Sequence, residues 1–452
     1  MLRIVSLLTV FFAVSLSSLV YASSDYVSKQ DIDFIHYQAE LEPDFKQKLV
    51  QGKVNIHFKP EVNNLVQLSF SAKYKDITAV SINDKPATYQ VENEVLVIST
   101  KETLEKGKEY VLTVDYSAKP KRGMRFFEDH LFTVYHTKNW LIAHNNISDK
   151  ASFELALIHY PKYTAVSVGE LVSNKAIADN KQISVWRQST PIPIYTFGFA
   201  LGQFESVRME QGNNQIEVLY RNTSYSKLSK TTIADAFKNA IDMMTFFEQI
   251  SGIEFVATPY QYLVVDGYMA QEVDGYSLVG EKFVHTLLEN KYENWFIAHE
   301  LAHEWWGNSI TSANFSHFWL NEGLVQFLVA AYKERLFGKQ AYFDEIDVAV
   351  RRVAKAVNEN RTAPVAFRTE IAESDINRTM AYSKGALVFY MLRKEVGDEL
   401  FWQALKLYSI KHKDGSVTTQ DLKIAFEKTT AKDLTEFFDT WVYGVSIPTI
   451  KH

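Results

Sequence analysis

The chain has 452 residues, 46% of them hydrophobic and 14% aromatic, enough apolar surface for more than one core and incompatible with a disordered or fibrous protein. Its 48 Lys and Arg stand against 54 Asp and Glu for a formal charge of −6, without a cationic stripe, so nucleic acid is not an expected partner. There is no cysteine, which excludes thiol catalysis, thiolate metal sites and disulfides.

The N-terminus, "MLRIVSLLTVFFAVSLSSLVYASS", carries Arg3, a long apolar run and a small-x-small close at Val20-Tyr21-Ala22. This pattern predicts a signal peptide over residues 1–22 and an exported protein, periplasmic or secreted. Left uncleaved, the same run would anchor the chain in a membrane. No other segment is long and apolar enough to span one, so no stable span is expected after cleavage.

Over residues 25–205 apolar residues recur at every second position: "KVNIHF" (53–58), "ITAVSIN" (77–83), "EVLVIST" (94–100) and "YVLTVDY" (110–116). Turn formers such as Asn83-Asp84, Pro86 and Gly107 separate them, and "IPIYTFGFALGQF" (192–204) reads as the last strand. This predicts an N-terminal antiparallel β domain. Residues 206–452 change character. Strand-like "QIEVLY" (215–220) and "YQYLVV" (260–265) give way to helical spacing over 294–307, 318–337, 340–357, 380–396, 399–412 and 418–442. The fold class expected is α+β, a β domain followed by a small sheet with a helical lobe.

Within the first long helix lies "HELAHEWWGN" (299–308). Residues i and i+4 share a helix face, so His299 and His303 can present two imidazoles to one zinc ion. A catalytic zinc takes three protein ligands and keeps one position open. Glu322 in "WLNEGL" (319–324) is the candidate third ligand, eighteen residues beyond His303 on a returning helix after a stop at Gly307-Asn308. Glu300, beside His299, is placed to take a proton from the attacking water and pass it to the leaving amine.

These blocks closely resemble the aminopeptidase N family of zinc peptidases, peptidase family M1, whose members are gluzincins. "YSKGALVFYML" (382–392) is similar to the family segment whose tyrosine stabilises the tetrahedral intermediate, which implies that role for Tyr382. "FFDTWVYGVSIPTI" (437–450) resembles the close of the family's thermolysin-like catalytic domain, and "DKASFELALIHYPKYTAVSVGEL" (149–171) a strand pair of its N-terminal domain. The resemblance implies one Zn2+ per chain, peptide substrates and removal of N-terminal residues.

The chain departs from the pattern upstream of the zinc motif. Family members that remove N-terminal residues carry G-x-M-E-N, whose glutamate pairs with the substrate's α-ammonium. Here the region reads "VVDGYMAQEVDGYSLVG" (264–280). One alignment makes Asp274 the amine anchor, Glu272 is a second candidate, and both acids also suit a solvated turn. A glutamine-bearing segment that in relatives meets the amine is not recognisable near "NWLIAHNNIS" (139–148), and the family's C-terminal helical cap has no counterpart before His452. An open-cleft endopeptidase and a non-catalytic peptide-binding envelope protein are therefore the alternatives. Trp305 and Trp306 are read as core and His317 as a surface residue, while Asn146 and Asn314 head glycosylation sequons.

Overall fold

Alternation in the first part of the chain gives strands buried on one face only. In Tyr110–Ala118 every second residue is buried, and Leu112 and Val114 are fully enclosed, each such side chain stabilising the fold by roughly 1.5–3 kcal/mol. The structure, a computed structural model, describes residues 31–144, 146–223, 227–255 and 259–450, and the expected signal segment lies outside them.

Tyr110–Ala118 belongs to an eight-stranded sheet in the order Glu170–Ile177, Lys181–Pro193, Lys150–His159, Ile32–Asp44, Leu49–Pro60, Tyr110–Ala118, Lys75–Ile82, Lys85–Pro86. Its pairings are antiparallel except between Ile32–Asp44 and Lys150–His159, which run parallel. Three- and four-stranded sheets complete this β part. Two expectations are corrected. "IPIYTFGFALGQF" is not one strand: Lys181–Pro193 ends at a proline with no N–H to donate, Ile194–Thr196 makes a 3-10 turn, and Phe199–Gly202 enters the four-stranded sheet. Lys150–His159 and Thr164–Ser167 likewise lie in different sheets rather than pairing.

The second part begins with a five-stranded sheet in the order Glu205–Gln211, Asn214–Tyr220, Tyr260–Val265, Tyr276–Gly280, Ala270–Val273. The central strands are parallel and buried on both faces. Residues on one face (Val218, Tyr262, Val264, Val279) join the core of the helical lobe. Those on the other (Leu219, Leu263, Val265, Leu278) join the core of the β part, so this sheet is the wall shared by both.

Three helices, Lys230–Ala236, Ala240–Ser251 and Glu281–Glu289, occupy a stretch in which periodicity shows only strands. Ala240–Ser251 is rich in Ile, Met and Phe, residues that serve either structure, and only its packing against the helical core decides. The central helix of the lobe is Trp319–Phe337, buried all round from Trp319 to Lys333. The expected helix over 418–442 starts on a Thr418/Asp421 capping box, breaks after Thr430 at Ala431 (φ 54°), and resumes as a short turn and a π-helix, Phe438–Val442.

Candidate metal centre

The histidine-bearing helix is shorter than its pattern, running from Trp295 to Ala302 with His303 as the capping residue. The chain then tightens: Trp305 and Trp306 N–H both donate to the Ala302 carbonyl at 3.1 Å, and Gly307 has φ 154°. This turn swings the Trp306 carbonyl under His303, where it accepts from Nδ1 at 3.0 Å. With its proton held on Nδ1, the lone pair of His303 is on Nε2, as a metal ligand requires. A Cβ at Gly307 would lie 2.8 Å from His303 Nδ1, so glycine is what admits the turn.

Glu322 arrives from the first turn of Trp319–Phe337. The next residue, Gly323, sits where that helix crosses the segment carrying Tyr382: a Cβ there would stand 2.8 Å from both the Ala381 carbonyl and Gly385 Cα. The close crossing brings Tyr382, in the π-helix Met380–Lys384, against the site. Its ring stacks on His299 at 6.2 Å between centroids and 9° between planes, and burial, with the Glu322 carboxylate nearby, holds its hydroxyl protonated well above the ordinary phenol range.

Three buried donor atoms converge. His299 Nε2 and His303 Nε2 are 3.2 Å apart, and Glu322 Oε2 is 3.4 Å from each. Tetrahedral zinc with bonds of about 2.0–2.1 Å requires ligand atoms roughly 3.3–3.4 Å apart, so this donor set fits the ion in type and spacing. Electrostatics agree. Burial disfavours charge on His303, yet the carboxylates of Glu272, Glu322 and Glu300 push its imidazolium up to about 10. Burial likewise favours a neutral Glu322, but His303 and His299 hold it well below the usual carboxylate range. Such a concentration of negative charge calls for a cation.

Glu300 is buried, its Oε2 without a hydrogen-bond partner among the described residues, and burial lifts its carboxyl well above the ordinary range. It forms a second grouping with His303 and Glu272, their nearest N and O atoms all within 4.8 Å of one another.

The two candidate amine anchors are separated. Glu272 lies on the edge strand Ala270–Val273, on the same face as Ala270 and towards the helices, and burial raises its carboxyl to about 7. Asp274 belongs to neither grouping. The turn at Gly275 (φ 76°) directs it to the β part, where its carboxylate accepts the Gln188 amide, and burial raises it to about 6. Trp305 and Trp306 are core, donating to the Ile253 carbonyl at 2.8 Å and Ser409 Oγ at 3.0 Å. His317 is half-buried, its Nδ1 hydrogen-bonded with Thr419 Oγ1 at 3.0 Å, and it belongs to neither grouping.

Sequence reasoning missed the contribution of the β part. Tyr135 reaches the edge strand, its N–H donating to Gln271 Oε1 at 3.0 Å and its hydroxyl to the Ala270 carbonyl at 3.1 Å. Tyr135 and His136 hold φ values of 44° and 48°, strained for non-glycine residues, and no sequence signal announces them.

Two histidines from one helix and a glutamate from the next, behind the edge of a mixed sheet, form a gluzincin-type arrangement. The chain belongs to peptidase family M1: residues 235–441 match the peptidase family M1 domain and residues 34–144 the peptidase M1 N-terminal domain. It is 24% identical to the mitochondrial aminopeptidase 2 of Saccharomyces cerevisiae over 92% of this chain and 46% of that one. It is also 24% identical to aminopeptidase N of Lactobacillus delbrueckii subsp. lactis over 92% of this chain and 51% of that one. The chain thus spans about half the length of these curated relatives. An M1 zinc metallopeptidase from Deinococcus radiodurans, solved as a mutant with a Tyr-Ser-Ala substrate, superposes with a TM-score of 0.78 at 18% identity, over 93% of this chain and 96% of that one. Yeast LTA4 hydrolase with bestatin gives 0.80 at 20% identity, over 96% and 72%. These likenesses show a shared fold.

Proposed function

We propose that the protein is a zinc-dependent aminopeptidase. The observation that carries this reading is the convergence of His299 Nε2, His303 Nε2 and Glu322 Oε2 at 3.2–3.4 Å, the spacing of a tetrahedral ligand set. A zinc ion held by them would supply Lewis acidity, polarising the scissile carbonyl and making water a nucleophile near neutral pH. Glu300 takes the proton of the attacking water and delivers it to the leaving amine as the C–N bond breaks. Tyr382 donates its phenolic hydrogen to the oxyanion that develops on the carbonyl. Glu272, on the edge strand beside this cluster, pairs with the free α-ammonium and sets the cut one residue from the N-terminus. Export, supported by Arg3 and the apolar run up to Ala22, belongs to the same proposal, and the N-terminal mass of the protein recovered outside the cytoplasm tests it. Among the described residues no helix is long and apolar enough to cross a membrane.

The test is a paired digest of one peptide with a free N-terminus and its N-acetylated twin, by the zinc-loaded protein, with Glu300→Gln as the blank. Single-residue release from the free peptide alone is expected, lost by roughly 10²–10⁴-fold in Glu300→Gln while zinc stays bound. Glu272→Gln should raise KM for the free peptide at little change in kcat. Internal cuts in both peptides would replace the reading with endopeptidase action. No cleavage despite bound zinc would leave a peptide-binding protein.

A further inference from the structure

Beside the metal centre lies an open recess of about 360 Å3 lined by Tyr382, Arg352, Lys355, Arg361 and Arg378 together with Thr379 and Ser383. Every charged side chain in that lining is cationic. Arg361 is held by Glu359, which also lies 4.0 Å from Lys355. Arg352 and Arg378 are different: both are exposed, and among the described residues neither has a hydrogen bond or a carboxylate partner.

The recess meets the centre at Tyr382, whose ring stacks on His299. Arg378 also stands at a junction. It lines a second cavity of about 830 Å3 between the β part and the helical lobe, with Arg122, His136 and Lys138 on one side and Glu370 and Glu373 on the other. A solvated cationic helix face would account for Arg352 and Lys355, one turn apart on Lys339–Asn358. It does not account for Arg378, which lies four residues before Tyr382, outside that helix, and lines the same recess.

We propose that Arg352 and Arg378 form a carboxylate-binding wall of the substrate cleft, so that peptides bearing a carboxylate within a residue or two of the scissile bond are preferred. The inference rests on the peptidase reading and adds the class of substrate. A planar guanidinium binds carboxylates through two parallel hydrogen bonds, and Tyr382 in the same lining joins the recess to the metal centre. The carboxylate has two sources: an acidic side chain, or the C-terminus of a short peptide.

Calorimetry of the zinc-loaded Glu300→Gln protein tests this without turnover, using Glu-Ala-Ala-amide, Gln-Ala-Ala-amide, Ala-Ala-Ala and Ala-Ala-Ala-amide. Expected is about fivefold to tenfold tighter binding of the acidic member of at least one pair, shrinking at about 0.5 M salt. The first pair reports the side-chain source and the second the C-terminal one. The preference should disappear when Arg352→Gln and Arg378→Gln are added together. Both residues are exposed, so zinc content and melting temperature should hold. Equal binding within each pair, or a preference that survives the double substitution, overturns the proposal, as does failure of all four to bind. Wild-type hydrolysis is scored separately: its absence would sink the peptidase reading, while the binding ratios still decide this one.

Discussion

Glu304 Oε1 accepts the backbone N–H of Gly275 at 3.0 Å, fastening the residue after the second histidine to the hairpin that carries Glu272. The same oxygen accepts from Asn308 Nδ2 at 3.1 Å, so one buried carboxyl ties the histidine turn to the sheet edge. A buried group with two such contacts holds two elements in register. Glu304→Ala should therefore raise KM for free N-terminal peptides about tenfold with a much smaller change in kcat. Glu304→Gln, which keeps the acceptor oxygen, should restore most of the loss. Equal damage from both would mean that the charge, not the tether, matters.

Asp274 gives a pH-dependent stability with a definite sign. Burial raises its folded-state pKa to about 6 from 3.8. Its contribution is therefore full below the unfolded value and lost as pH rises through about 6. Two units correspond to roughly 2–3 kcal/mol. Asn at this position still offers an oxygen to the Gln188 amide and never ionises. Urea midpoints should show Asp274→Asn more stable than wild type at pH 8, with the gap closing at pH 4 and below. A variant less stable at pH 8, with the wild-type slope intact, would refute the assignment.

Tyr382 stacks on His299, yet it is only half-buried in the lobe. Tyr382→Phe keeps the ring and the packing but removes the donor. The expected result is a fall in kcat of about 10²–10³-fold with KM and zinc content little changed. A large KM effect instead would make it a binding residue.

Gly307→Ala tests the turn beneath the second histidine. The added Cβ meets His303 Nδ1 at 2.8 Å and disturbs the bond to the Trp306 carbonyl. Chelator competition should show zinc held about 10–100-fold less tightly. Unchanged affinity would indicate that the turn relaxes without moving the imidazole.

What was legible in the sequence follows from how far apart the cooperating residues lie. His299 and His303 meet because four residues on one helix always do, and Glu300 comes with them. The β domain and the long helices of the lobe are likewise local periodicities, and Glu322 and Tyr382 were reached through motifs that travel with that helix. Sequence could not choose between Glu272 and Asp274, because which acid faces the centre depends on where the edge strand ends and its turn begins. It also could not show that Tyr135, more than a hundred residues upstream, reaches the same edge strand, or that Arg352 and Arg378 share a recess with Tyr382. Those relationships are made by strand pairing and by close helix crossings such as Gly323 on Gly385. Spacing along the chain carries no record of them, since each joins residues whose separation in sequence says nothing about their distance in space.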